Sequence, residues 1–133
     1  MKIKDTSIPR SVYAVRCKNN GKLYIGSTID PVKRFYSHIN ELRAGAKGTS
    51  GNLQKQHWQE DFNKYGADAF ELYIMVDADT YSNAMFLESY YIDIYNTRCE
   101  FFGYNSNGGG KKANQPDLKI IKGFPSRADG LIF

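Results

Sequence analysis

Apolar and polar positions alternate through Ser11-Val12-Tyr13-Ala14-Val15-Arg16-Cys17, and the residues are mostly β-favouring. A period of two of this kind predicts a strand. Lys18-Asn19-Asn20-Gly21 follows, and Asn-Gly is a strong hairpin signal, so Lys22 to Gly26 is predicted as the return strand. Asp30-Pro31 then marks a helix start, a capping side chain followed by proline at the first helical position. Val32, Phe35, Tyr36, Ile39 and Leu42 recur at helical spacing until Gly45. Residues 45–51 are loop by composition. A second helix is predicted from Asn52 to Tyr65, with Leu53, Trp58 and Phe62 on its apolar side and Gly66 beyond its end. Phe70 to Val76 reads as a third, mostly buried strand, and Asp79-Thr80 as the cap of a third helix reaching Tyr95. Hairpin, helix, helix, strand, helix is an α+β order, packed most simply as a small, mainly antiparallel three-stranded sheet flanked by helices.

The length of 133 residues suits one domain. Gly108-Gly109-Gly110 interrupts regular structure, which divides the chain into an N-terminal arm (1–10), a core domain (11–108) and a tail with glycine, lysine and proline (109–133). There is no apolar run long enough to span a bilayer, about 18 residues or more. The charged start Met1-Lys2-Ile3-Lys4-Asp5 lacks the apolar stretch of a secretory signal, so the expected location is intracellular, the cytoplasm of the host or source cell. Cys17 and Cys99 are far apart and form no CxxC, which favours reduced packing residues over a disulfide or structural zinc. The formal charge of +4 sits in the arms: residues 1–10 carry a net +2 and residues 111–133 a net +3, leaving −1 for residues 11–110. Basic arms can neutralise phosphates, although ordinary solvated termini explain the charge equally well.

Within the third helix Tyr81, Ala84, Met85, Tyr91, Ile92 and Tyr95 form an apolar stripe with Glu88 in its middle. An ionised carboxylate there needs a cation, a metal or strong donors. A structural ion pair with an arginine is the competing explanation. Arg34 and His38 lie one above the other on the first helix, on a face expected to point away from the Phe35/Ile39 stripe. They suit phosphate binding and proton transfer, or simply a solvated polar face. Tyr13 and Tyr24 occupy the paired strands, where packing explains either one. A phenol becomes a base only if a cation or metal lowers its pKa far below about 10. Trp58 and Tyr65, beside Lys55 and Lys64, could stack on bases or pack against sugars, with core packing the favoured role for Trp58. Gly110-Lys111-Lys112 could lie along a phosphate backbone.

Ser11-Val12-Tyr13 followed by Tyr24-Ile25-Gly26 resembles the paired elements that name the GIY-YIG nuclease superfamily. Arg34, His38, Glu88 and the Asn105 of Gly103-Tyr104-Asn105 match the remaining motif positions in order, most like the catalytic domain of phage homing endonucleases. Asp61-Phe62-Asn63-Lys64-Tyr65-Gly66 resembles a further stretch of that group. Ser11 stands where the family usually has glycine, and Val12 replaces isoleucine; the tyrosine is intact.

The resemblance implies hydrolysis of DNA phosphodiesters at a single-metal site, with Mg2+ as the ion and Mn2+ able to replace it. It gives the catalytic set as Tyr13, Tyr24, Arg34, His38, Glu88 and Asn105. In the roles assigned to them, Glu88 is the metal ligand and Arg34 the phosphate contact; Tyr13 is chosen to activate water with Tyr24 and His38 assisting, the choice between the two tyrosines staying open, and Asn105 orients the site. Lys33, Arg34, Lys111 and Lys112 are the expected DNA contacts. The expected partners are double-stranded DNA and a second copy of the chain on that DNA, with no membrane. A restriction-type or structure-specific repair nuclease, and an inactive nucleic-acid-binding module, are the alternatives.

Overall fold

In the computed structural model, residues 8–46 and 53–105 are described. Strand β1 (Arg10–Cys17) pairs antiparallel with β2 (Leu23–Thr28) and with β3 (Phe70–Ala78), so the sheet order is β2-β1-β3. The hairpin closes at Asn20-Gly21, where the Gly21 amide donates to the Cys17 carbonyl at 2.8 Å. Helices α1 (Pro31–Arg43), α2 (Leu53–Tyr65) and α3 (Tyr81–Tyr95) complete the domain, with a single 3-10 turn (Ala67–Ala69) before β3. The α+β architecture is that expected from the alternation and helix spacing. Strands β1 and β3 extend slightly beyond the predicted limits, and β2 begins one residue later and ends two later than predicted, because pairing, rather than local preference, ends a strand.

Both predicted caps form. The Asp30 side chain accepts from the Lys33 amide with Pro31 at the start of α1, and Thr80 accepts from the Asn83 amide at the start of α3. Each cap satisfies a backbone donor that a helix leaves unpaired at its N-terminus.

Central strand β1 is buried on both faces, and its alternation sorts two cores. Tyr13, Val15 and Cys17 join Phe35, Ile39 and Leu42 of α1, Trp58 of α2, and Phe70 and Leu72 of β3. Val12 and Ala14 join Leu23, Ile25 and Tyr73, covered by Ile92 and Tyr95 of α3. Helices α1 and α2 thus cover one face of the sheet and α3 the other. Cys17 and Cys99 are both free thiols, Cys17 buried.

Two expectations about α1 need correction. Tyr36, placed in the apolar stripe by spacing, is 50% exposed. His38, expected on an outward face, is 1% exposed and belongs to the interior. The buried arc of α1 is wider on the His38 side because Trp58 of α2 covers it, with ring centroids 5.0 Å apart. Arg10, counted with the N-terminal arm in the sequence, is the first residue of β1, opposite Ala78. Asn52 and the tail, with Lys111 and Lys112, lie outside the described residues.

Candidate active site

The site forms around the second half of edge strand β2. Tyr24 and Gly26 face the α1/α2 side, while alternation turns Ser27 to the α3 side with Ile25. Tyr13, one strand inward and opposite Gly26, is 1% exposed, and its hydroxyl oxygen lies 2.8 Å from His38 Nε2. That approach depends on glycine at 26. A Cβ there would meet the Tyr13 hydroxyl oxygen at 2.6 Å and Cζ at 2.8 Å.

A column of rings fixes the two phenols and the imidazole. Tyr104 stacks on Trp58 (centroids 5.3 Å, planes 12° apart), and Trp58 stacks on Tyr24 (4.8 Å, 25°). His38 meets the edge of Tyr24 at 4.9 Å. Trp58 is fully interior at 1% exposure, so it packs the core and offers no face to a nucleic-acid base. Asp61 anchors the far end of the column: its Oδ2 accepts from the Tyr104 hydroxyl at 2.7 Å and from Asn20 Nδ2 at 2.9 Å. This gives the Asp61–Gly66 segment a structural purpose, joining α2 to the hairpin turn and to residue 104.

Asn105 stitches the chain to β2. Its Oδ1 accepts from the Ile25 amide at 2.8 Å and from Thr97 Oγ1 at 2.7 Å, and its Nδ2 donates to the Ile25 carbonyl at 2.9 Å. The outer backbone edge of Ile25, between Tyr24 and Gly26, is thereby satisfied as a further strand would satisfy it. Gly103 permits this path, since a Cβ there would lie 2.4 Å from Thr97 Cα.

Glu88 is half-buried on α3, and its Oε1 accepts from Ser27 Oγ at 2.8 Å. No ion pair reaches it among the described residues. Arg98, whose charge acts on it, is itself bound to Asp93 at 2.8 Å. Burial pushes the Glu88 carboxyl above the usual carboxylate range, against the hydrogen bond from Ser27 and the charge of Arg98. The arginine ion pair that would have given Glu88 a purely structural role is therefore absent among the described residues. Ser27 was missed in the sequence reading, although strand alternation from Ile25 already turns it toward α3.

Arg34 Nη1 donates to Ser37 Oγ at 3.2 Å and lies 4.0 Å from Glu41. The charges of Arg34 and Glu88 both bear on Tyr13 and on Tyr24, in opposite directions. Burial pushes Tyr13 well above its ordinary value, with Tyr24 adding to the rise and Arg34 pulling the other way. Tyr24 is also raised, again chiefly by burial and then by Glu88. Neither phenol is a resting phenolate at neutral pH. Ser11, at the position where the resemblance has glycine, donates its hydroxyl to Asp77 on β3 at 2.7 Å, away from these groups.

A divalent cation fits this donor set. Glu88 offers a carboxylate that burial destabilises when charged and that has no cationic partner within ion-pair distance among the described residues. No cluster of three or more potential ligands occurs among the described residues, so a hard cation would complete its shell from water and substrate oxygens.

The chain is a small α+β domain with a three-stranded antiparallel sheet between α1 and α2 on one face and α3 on the other. Residues 9–105 match the model of the GIY-YIG catalytic domain, and the chain belongs to the GIY-YIG family. Two solved structures are similar to it. The catalytic domain of the homing endonuclease I-TevI has 27% identity and a TM-score of 0.58, covering 72% of this chain and 96% of that one. A point mutant of the catalytic domain of the intron endonuclease I-TevI has 26% identity and a TM-score of 0.59, covering 73% and 92%. No curated protein sequence matches the chain. Among the described residues no helix is long and apolar enough to cross a membrane.

Proposed function

We propose that the protein is a divalent-metal-dependent DNA endonuclease of the homing type, from a phage or mobile element, acting inside the cell. The observation that carries this reading is Glu88: a half-buried carboxylate without a cationic partner in the described structure, acting on the same two phenols as Arg34.

Glu88 would hold Mg2+, or Mn2+ in its place, with Ser27 fixing the carboxylate through Oε1. When bound, the ion supplies polarisation of the scissile phosphate and stabilisation of the leaving 3′ oxygen. Arg34 binds the phosphate and balances its growing negative charge, a contribution of the kind whose loss costs about 10²- to 10³-fold in rate. Tyr13 takes the proton from the attacking water while passing its own to His38 Nε2 across the 2.8 Å contact. This relay lets a phenol with a raised pKa serve without a standing phenolate, because the imidazole is the final acceptor. Tyr24 and Trp58 hold the imidazole in place. Asn105 holds the β2 backbone that carries Tyr24 and Gly26. Lys33, Lys111 and Lys112 are assigned to the DNA backbone, and a homodimer would supply the second cut on a duplex.

The test is incubation of supercoiled plasmid with wild-type protein and a Glu88→Ala variant, in Mg2+, in Mn2+ and in EDTA. Metal-dependent nicking by the wild type, lost in Glu88→Ala with DNA binding retained, is the expected result. Cleavage in EDTA, or full-rate cleavage by Glu88→Ala, overturns the assignment. Binding with no cleavage under any condition leaves a nucleic-acid-binding module.

A further inference from the structure

Beside the catalytic groups, Arg10, Thr28, Ile29, Asp30, Lys33, Arg34 and Ser37 line a cleft of about 310 Å³. Three cations face one carboxylate there. The Asp30 carboxylate already accepts the Lys33 amide as the cap of α1. The Arg10 guanidinium lies over an aromatic ring, its Cζ 4.9 Å from the centroid of Tyr81. Contact with an aromatic ring holds the group without supplying an acceptor oxygen. Arg10 Nε accordingly has no hydrogen-bond partner among the described residues, although it is shielded from solvent. A buried donor without a partner is costly, so a group fixed in this way is suited to an acceptor brought by a ligand. Lys33 is exposed at the rim and forms no ion pair with the described residues.

Arg34 joins the cleft to the catalytic site, because it acts on Tyr13 and also donates to Ser37. A ligand held by Arg10 and Lys33 therefore sits next to the phosphate assigned to Arg34. We infer that the cleft lined by Arg10, Lys33, Thr28 and Ser37 is a second phosphate site, which grips the DNA backbone phosphate neighbouring the scissile one. The inference rests on the endonuclease reading and deepens it. Arg10 enters as a guanidinium held over the Tyr81 ring with its Nε unpartnered among the described residues, Lys33 as a mobile point charge, and the two hydroxyls as neutral donors. The site positions the strand and takes no part in proton transfer.

The experiment measures binding of a short synthetic duplex across a salt series of about 50 to 200 mM. Binding is read in a Glu88→Gln background, to keep the DNA intact, and cleavage is measured separately in the otherwise wild-type protein. Arg10→Ala is expected to weaken binding roughly tenfold. It should also make the plot of log affinity against log salt shallower by about 0.9, one phosphate contact. KM should rise with kcat at saturating DNA retained. Lys33→Ala, an exposed and structurally mild change, should shift the same readouts in the same direction. Arg10→Lys should restore the salt slope but not the full affinity, because the charge returns without the guanidinium. Lys64→Ala removes a cation of α2 that does not line the cleft, and should move binding less than Arg10→Ala.

Wild-type affinity and slope in both Arg10→Ala and Lys33→Ala overturn the second phosphate site. So does a Lys64→Ala effect equal to that of Arg10→Ala, and so does a fall in kcat without loss of binding. Should Arg10→Ala fold poorly by thermal melting, Lys33→Ala and Arg10→Lys decide the matter. Failure of the wild type to nick DNA with metal would remove the endonuclease reading instead, and the binding measurements would still report on the cleft.

Discussion

The hydroxyl of Tyr13 and Nε2 of His38 meet at 2.8 Å between two side chains that are each 1% exposed. The two groups share one short polar contact in a largely buried setting, where its members act as a unit. Tyr13→Phe is expected to lower the single-turnover cleavage rate by about 10²-fold or more. His38→Ala should cost a comparable factor, and the double variant little more than the worse single one, because both remove one relay. Multiplicative losses in the double variant would show that the two residues act separately.

Gly26 tests the same contact without touching either partner. In Gly26→Ala the new methyl overlaps the Tyr13 ring end, which is enclosed and cannot move without leaving His38. Overpacking of this kind costs roughly 1–3 kcal/mol. Urea unfolding should show a lower midpoint with an unchanged slope, and the cleavage rate should fall as it does for Tyr13→Phe. Wild-type cleavage by Gly26→Ala would mean that the Tyr13–His38 distance is not important to the reaction.

Trp58 separates positioning from base stacking. Trp58→Ala removes the centre of the Tyr104–Trp58–Tyr24 column and should cost about 3–5 kcal/mol. The milder Trp58→Phe keeps an aromatic surface but loosens His38 and Tyr24, so kcat should fall while duplex affinity holds. Retained kcat with weakened binding would instead assign the indole to the nucleic acid.

The Glu88 carboxyl carries a pH signature. Its folded pKa is raised by burial, so its stabilising contribution is present when protonated, below the unfolded value of about 4.3. That contribution is lost as pH rises through the folded value. At neutral pH the charged group therefore costs stability, and Glu88→Gln should melt at or above the wild-type temperature. The difference should close as the pH is lowered below the ordinary carboxylate range. The melting comparison is made in EDTA, because a divalent cation held by Glu88 would pull its carboxyl pKa the other way. A Glu88→Gln protein that melts well below wild type at neutral pH would indicate that the carboxylate is a structural group.

The elements were legible in the chain because local causes produce them. Alternation in Ser11–Cys17, the Asn20-Gly21 turn and the Asp30 and Thr80 caps act over a few residues and need no distant partner. The motif residues were legible as residue types in order. Their environment was not. Helical spacing assigns Tyr36 and His38 to faces of α1, but whether a face is buried depends on what packs against it. Trp58, from a helix placed by tertiary packing, encloses the imidazole and leaves Tyr36 in solvent. Ser27 and Glu88 are 61 positions apart, and Asn105 and Ile25 are 80 apart. Such pairs arise only when the sheet and α3 close on each other.

Sequence by itself determined the strands, the helices, their order and the supply of one carboxylate, one guanidinium, two phenols and an imidazole. Only the tertiary structure decided that burial raises the phenols and the carboxylate, that glycine at 26 admits the Tyr13 hydroxyl, and that Arg10 belongs beside Lys33. The reason is range: backbone preference acts over a few residues, whereas desolvation and hydrogen bonding depend on neighbours that folding brings from anywhere in the chain.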